Sequence, residues 1–211
     1  MEIKVPSSWD EVSIKQFEQL MVHSNNENLT IAEREMFIIS TLTGLNPKEV
    51  RDLDAPSFQR ISNTLGFLGS PVPKRMPKDK ITINGSEYHV DLYPKNFSAG
   101  QFIDYKTIAA SEVDKKSARI IACFLYPEGS QYNDGSYDAD FIVNEIYEHL
   151  GVPEVTAYSN FFMIQYKAYA EAFLKYSLRQ VKKSKVIPKQ ERKEQITQLK
   201  RSIALIRSIG V

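Results

Sequence analysis

Apolar residues recur every three or four positions along most of the chain, which is the spacing of one face of a helix. One such face follows Thr30 and comprises Ile31, Ile38, Ile39, Leu42 and Leu45. Another follows Asp54 and comprises Phe58, Ile61, Leu65 and Leu68. The pattern predicts a mostly α fold, a helical bundle in which these faces form the core.

Polar and turn-forming residues indicate where these helices begin and end. Ser13 and Thr30 each stand three residues before a glutamine or glutamate, which is the spacing of a capping box. Gly44 and Pro47 predict the end of the helix that begins after Thr30. Asp54 can cap the next helix, which we expect to end near residues 66–69.

Residues 81–92, ITINGSEYHVDL, alternate between apolar and polar positions and predict a small β-hairpin. Asn84-Gly85 suits its turn, because both residues tolerate positive φ. A connector with three prolines and four basic residues, 70–80, precedes it. Since a two-stranded ribbon is barely stable alone, we expect its apolar residues to pack on helices. These residues are Ile83, Val90 and Leu92.

A pattern resembling the first helices recurs about 84 residues later. VSIKQFEQL, from Val12, is similar to FSAGQFIDY, from Phe97, and each contains Ser-x-x-Gln-Phe. We interpret this as two similar three-helix units, although capping patterns alone can produce the same likeness. The resulting organisation is an N-terminal helical unit (1–69), a connector and hairpin (70–96), a second helical unit (97–155) and a C-terminal helical region (156–211).

The C-terminal region predicts a long aromatic helix from about Thr156 to Lys183 and a last helix over about 189–209. The aromatic residues of the long helix cover more than one of its faces, so we expect them to pack against a partner chain or the protein's own core. The last helix has a narrow apolar seam of coiled-coil type. The candidate partner-binding residues are Phe161, Phe162, Tyr166, Tyr169, Phe173, Ile196, Leu199, Ile203 and Ile206.

Charge is unevenly distributed along the 211 residues. The chain has a net charge of +1, yet residues 179–207 contain ten Lys or Arg against two glutamates. Such a segment is either a solvated helical face or a surface for phosphate groups or an acidic protein. The candidate contact residues are Arg179, Lys182, Lys183, Lys185, Lys189, Arg192, Lys193, Lys200 and Arg201.

The sequence offers no recognisable catalytic, cofactor-binding or metal-binding constellation. The three histidines, His23, His89 and His149, fall in different elements, and none has a metal-ligand neighbour at the required spacing. Residues 133–140 are acidic but fit a loop with a helix cap better than a calcium loop. The lone Cys123, within the apolar run IIACFLY, is expected in a buried helix as an inert thiol. We therefore expect no cofactor and no enzymatic activity.

We also recognise no targeting signal in the sequence. A signal peptide typically has a basic start followed by an apolar run. The first residues of this chain lack that pattern. No apolar stretch approaches the length of a bilayer span. We expect a chain that is soluble and intracellular when made and that has no membrane partner.

Three stretches together resemble phage morphogenesis and virion proteins of crAss-like and related Bacteroidota phages. They are residues 6–20 (PSSWDEVSIKQFEQL), 37–68 (FIISTLTGLNPKEVRDLDAPSFQRISNTLGFL) and 81–105 (ITINGSEYHVDLYPKNFSAGQFIDY). The segment Leu42 to Leu68 also resembles the helical part of tail assembly chaperones. The basic C-terminal segment departs from what that chaperone family needs.

The resemblance implies a non-enzymatic virion protein, present in multiple copies near the portal or tail, or a packaged cargo protein. Its partners would be other phage structural proteins or neighbouring copies, with DNA as a further, charge-based partner. Two alternatives stay open. One is a tail assembly chaperone that leaves before the particle matures, and the other is a non-specific DNA-binding protein that uses the basic C-terminal region.

Overall fold

The computed structural model describes residues 3–93 and 96–208. It is 64% helical with a small antiparallel sheet, which confirms the mostly α prediction. The chain divides into two compact units, Met1–Tyr158 and Ser159–Val211, called the first and second units below.

The first unit opens with a 3₁₀ turn, Trp9–Glu11, and four helices: α1 (Ile14–Ser24), α2 (Ile31–Thr43), α3 (Pro47–Arg51) and α4 (Ala55–Thr64). A second 3₁₀ turn, Leu65–Gly69, ends this part. The apolar faces predicted from spacing contribute to one buried cluster, as expected for helices that each have one apolar side. Ile31 is an exception, because it lies in the first turn of α2 and is 84% exposed. The buried members are Val12, Leu20, Ile39, Leu42, Val50, Ile61, Leu65 and Val152.

The predicted starts of α1, α2 and α4 and the predicted end of α2 are confirmed, whereas α4 ends at Thr64, before the predicted 66–69. Ser13 and Thr30 form complete capping boxes, and Asp54 accepts a hydrogen bond from the backbone N–H of Ser57 at 2.7 Å. Gly44 takes a left-handed conformation (φ 75°) and ends α2. The short helix α3 was not predicted, because five residues are too few to show a period.

The hairpin is confirmed, and a third strand joins it. Strands β1 (Lys80–Ile83) and β2 (Ser86–Val90) flank Asn84 and Gly85, which both have positive φ. Strand β3 (Leu125–Pro127) pairs antiparallel with β2, giving the order β1-β2-β3. Ile83 and Val90 are buried and Leu92 is half-buried, so the ribbon gains support from this strand as well as from helices.

The placement of Cys123 inside a helix was wrong. Helix α6 (Lys116–Ala122) ends one residue earlier, and the chain then turns into β3. The apolar run over these residues fits both a buried helix and a buried strand, and its length alone does not separate the two. Burial of Cys123 is nevertheless confirmed, with 3% of its surface exposed.

Helices α5 (Ala99–Ala110), α6 and α7 (Ala139–His149) follow the hairpin. Ser98 caps α5 with the same box as Ser13 caps α1. Gln101 of that box is buried and also donates to Asp91 at 2.9 Å, which ties α5 to the end of the sheet. Helix α6 has 7 residues where α2 has 13, and the duplication of a three-helix unit stays a prediction.

The residues before α1, 3–13, form the N-terminal lead-in. This lead-in pairs with the turn between α7 and α8 (Val152–Lys183). The Val152 N–H donates to the Val12 carbonyl at 3.0 Å, and the Ile14 N–H donates to the Leu150 carbonyl at 3.3 Å. Gly151 lies in this turn, where an added Cβ would stand 2.7 Å from the Asp10 carbonyl oxygen. The close approach therefore needs a residue without a side chain.

The second unit consists of the rest of α8 and of α9 (Lys189–Ser208). Helix α8 starts about four residues before the predicted position, because Pro153 fits the first turn of a helix. Arg207, near the end of α9, donates to Glu171 of α8 at 2.7 Å. The last helix therefore runs back along α8. Residue 209, which we predicted within it, lies outside the described residues.

Candidate interaction surfaces

An exposed aromatic stripe runs along α8 in the second unit. Tyr169, Phe173 and Tyr176 are 49%, 57% and 60% exposed. They follow one another at intervals of four and three residues and so share one side of the helix. We call these three residues the aromatic stripe.

The stripe lies on the side of α8 opposite α9. Glu171, which binds Arg207 of α9, is two positions from both Tyr169 and Phe173. Two positions correspond to about 200° around a helix. The stripe is therefore directed away from the contact between Arg207 and Glu171.

The other predicted partner-binding residues are less accessible. Phe162 and Ile203 are buried, so they serve the protein's own packing. Phe162 meets the ring of Phe161 edge to face, with centroids 5.5 Å apart. The remaining predicted residues are half-buried: Phe161, Tyr166, Ile196, Leu199 and Ile206.

The predicted basic residues lie around the end of α8 and along α9, and all but one are exposed. The exception is Arg192, which is half-buried and donates to the Ser184 carbonyl at 2.7 Å, fixing the loop between the two helices. The exposed set is Arg179, Lys182, Lys183, Lys185, Lys189, Lys193, Lys200 and Arg201.

The structure adds a residue that sequence reasoning missed. Lys189, Lys193, Lys200 and Arg207 are separated by four, seven and seven residues, so they form one basic row along α9. Arg207 was outside the predicted set, although its spacing from Lys200 was visible in the sequence. On α8, Lys183 stands seven residues after Tyr176 and continues the aromatic stripe with a cation.

Charge separates sharply between the two units. The first unit has 15 Lys and Arg against 23 Asp and Glu, a net charge of −8. The second has 12 against 3, a net charge of +9. Within the first unit, residues 120–158 contain no lysine or arginine and seven acidic residues.

Part of this acidic segment borders a groove of about 210 Å³ in the first unit. Its apolar lining includes Ile108, Ala122, Ile142 and Val143. Its polar lining includes Asp104, Asp140, Arg119, Tyr132 and Tyr137. We call this the acidic groove, and neither its position nor its lining was predicted from the sequence.

Hydrogen bonds hold the rim of the acidic groove in place. Tyr132 donates to Asp104 at 2.6 Å, and burial raises the pKa of this phenol well above its usual range. Arg119 donates to the exposed carboxylate of Asp140 at 3.1 Å. Phe141, which follows Asp140 in α7, is 56% exposed, so α7 also presents apolar surface to solvent.

A larger cleft of about 430 Å³ lies between the connector and the start of α8. Arg75 binds the carboxylates of Asp10 and Glu154 there. The Tyr158 hydroxyl donates to the Lys78 carbonyl at 2.9 Å, and burial raises its pKa to about 12. The ion pairs of Arg75 and the hydrogen bond to Lys78 therefore attach the connector to the start of α8.

The remaining titratable residues are dispersed. His23 stacks on Phe37 at 4.7 Å, His89 lies 3.6 Å from Asp91, and His149 lies 3.9 Å from Glu145. Residues 133–138 form a loop that ends in Asp138, which caps α7, as predicted. Over residues 3–93 and 96–208, no group of three or more His, Cys, Asp or Glu side chains is placed to hold a metal ion.

No described helix combines the length and apolar character needed to cross a membrane. The chain matches no protein-family model, no curated protein and no solved structure.

Proposed function

We propose that this chain is a non-enzymatic bacteriophage virion protein that acts by packing against other structural proteins. In this role it is a component near the portal or tail, or a cargo protein carried in the particle, and it is present in several copies. It is made in the host cytoplasm and enters the particle during assembly.

The exposed aromatic stripe is the observation that carries the proposal. Three large aromatic side chains in a row on one rigid helix are typical of a protein contact surface, because their apolar area stays in water until a partner covers it. The resemblance of residues 6–20, 37–68 and 81–105 to phage morphogenesis proteins gives this contact its biological setting.

The proposed mechanism is complementarity of shape and charge. The stripe supplies apolar area, while the cations at the end of α8 and along α9 select acidic partners and repel basic ones. Arg192 and Arg207 help to hold the two helices in register through Ser184 and Glu171.

Mass spectrometry of purified particles of a phage that encodes this chain tests the proposal. We expect its peptides in fixed stoichiometry to the portal protein, and after partial disassembly we expect them with the portal or tail fraction or with the released contents. Absence from particles that contain all other structural proteins would contradict the proposal.

A tail assembly chaperone is the second candidate, favoured by the likeness of Leu42 to Leu68 to that family. It predicts co-purification with a tape-measure protein from infected cells and no peptides in the mature particle. The same two fractions therefore separate the two roles.

Non-specific DNA binding is the third candidate, favoured by the +9 charge of the second unit. It predicts duplex DNA affinity that falls steeply between low and moderate salt and is lost on truncation after Val181. Failure of the intact chain to shift DNA at low salt would exclude it.

A further inference from the structure

We infer that the aromatic stripe of one copy docks against the acidic groove of a second copy of the same chain, in a head-to-tail contact. The inference rests on the proposed function, since it names the neighbour that the packing surface receives. The first unit of each copy is the receptor, and the second unit of each copy is the ligand.

The apolar parts of the two surfaces correspond. Tyr169, Phe173 and Tyr176 form a narrow ridge on α8, and the acidic groove offers an apolar lining. Aromatic side chains are enriched in the centres of protein interfaces because they bury large areas with few rotatable bonds.

The charges around these apolar parts are opposite. Lys183 extends the stripe, with Arg179 and Lys182 nearby in the last turns of α8. The groove carries Asp104 and Asp140 against one cation, Arg119, which binds Asp140. The first unit as a whole has a net charge of −8. Like charges would meet if two second units or two first units associated, so the charge pattern selects the mixed contact.

Duplex DNA is the competing occupant of the basic surface. Phosphates would satisfy the cations of α9, but the stripe would gain no apolar cover from a phosphate backbone. A second copy covers the aromatic rings and also meets the cations at the end of α8, and for this reason the observations favour it.

Sedimentation of the purified full-length chain over a range of concentrations tests the inference. We expect concentration-dependent association that weakens as salt rises, because the rim charges are screened. Phe173→Ser should raise the dissociation constant by about tenfold or more. Met76→Ser, which alters an 85% exposed residue outside both surfaces, should leave it unchanged.

A charge exchange between two variants gives a sharper test. Lys183→Glu and Asp140→Lys should each weaken self-association, and an equimolar mixture of the two should restore it. Restoration is expected because each groove then meets an α8 end of opposite charge. Far-ultraviolet circular dichroism on each variant confirms that the helices are intact.

Several outcomes would overturn the inference. These are a monomer at every concentration and salt level, unchanged association in Phe173→Ser, or no restoration in the mixture. If Phe173→Ser fails to fold, the charge exchange alone decides. A DNA surface instead predicts that Lys183→Glu lowers affinity for a duplex probe, with Asp140→Lys not lowering it and neither variant changing sedimentation.

The result is separable from the test of the virion role. Self-association without presence in particles would remove the virion role and keep the contact. Presence in particles, with a monomer in solution that the charge exchange does not alter, would keep the role and remove this contact.

Discussion

Gly151 occupies a position that has no room for a side chain. An added Cβ would lie 2.7 Å from the carbonyl oxygen of Asp10, which is held by pairing of the lead-in with the turn before α8. Because that oxygen belongs to the backbone, relief requires the lead-in itself to move. Strain of this kind in a packed region costs about 1–3 kcal/mol.

We predict that Gly151→Ala lowers the free energy of unfolding by about that amount, measured by urea denaturation. Gly66→Ala is the matched control, because a Cβ added there would meet no atom within 4 Å and the φ of Gly66 is not positive. Equal stability of the two variants would show that the lead-in adjusts freely.

Cys123 is the second residue with a sharp expectation. Burial raises the pKa of its thiol to about 12, and the nearby Asp104 carboxylate adds to the shift. At pH 8 the native protein should react with a thiol reagent more than about a hundredfold more slowly than the denatured protein, because only the thiolate reacts. Equal rates would mean that the β3 region opens readily.

The sequence alone predicts the burial of Cys123 but not the need for glycine at residue 151. Burial of Cys123 follows from its apolar neighbours, and we predicted it. The need for glycine at residue 151 depends on a carbonyl about 140 positions earlier in the chain. No local pattern contains that information, because chain pairing over such a separation is a property of the folded structure.

At the scale of elements, the hairpin depends on its buried face. Val90 is 1% exposed and pairs with Leu125 of β3. We predict that Val90→Asp lowers the free energy of unfolding by about 3 kcal/mol or more, because a carboxylate would be buried without a partner.

The control for the hairpin is Thr82→Asp, an exposed position on β1 of the same ribbon. It should change the melting temperature little, as is usual for surface substitutions. A normally stable Val90→Asp protein would show that the sheet does not contribute to the core of the first unit.

Helix α4 gives a prediction about pH. The backbone N–H of Ser57 holds the pKa of Asp54 below its ordinary value. A lowered folded-state pKa means that the carboxylate stabilises the fold above about pH 4 and loses this contribution as pH falls through the folded pKa. Stability of Asp54→Asn should therefore fall less on acidification than stability of the parent chain.

Urea unfolding of both chains at pH 6 and at successive values below pH 4 checks this. The parent should lose its advantage as Asp54 is protonated. Identical dependence on pH in the two chains would show that this cap contributes equally in its neutral form.

Helix starts and the hairpin turn were predictable because neighbouring residues in the sequence determine them. Asn84-Gly85 fixes a two-residue turn, and the serine and threonine boxes fix three helix starts. Strand β3 was missed because its apolar residues continue the pattern of α6. The choice between helix and strand there depends on the free edge of β2, which sits more than thirty residues away.

At the scale of the whole molecule, the two units should differ in local stability. Ile203 is the buried residue of α9, whereas the first unit has an extended buried cluster. A helix anchored by so little apolar area opens more readily than a packed bundle.

We predict that Ile203→Asp accelerates hydrogen exchange in α9 and leaves the amides of α1 and α2 protected. Hydrogen-exchange mass spectrometry resolves the two regions. Leu205→Asp, at a position 66% exposed, should change neither. Loss of protection throughout the chain would show that both units unfold together.

The candidate surfaces were only partly predictable. The basic and aromatic residues of the second unit could be read from composition and spacing. The sequence does not indicate which aromatic rings are exposed. Phe162 and Phe173 lie in similar sequence surroundings but are 2% and 57% exposed. The acidic groove joins three helices and a loop, so it exists only after folding.

Charge segregation between the units also has a consequence for handling the protein. The sequence pI of about 7.7 suggests weak retention on any ion-exchange resin near neutral pH. Yet a resin binds through local patches, and units of −8 and +9 offer a patch of each sign. At pH 7 and low ionic strength the chain should bind both cation- and anion-exchange columns.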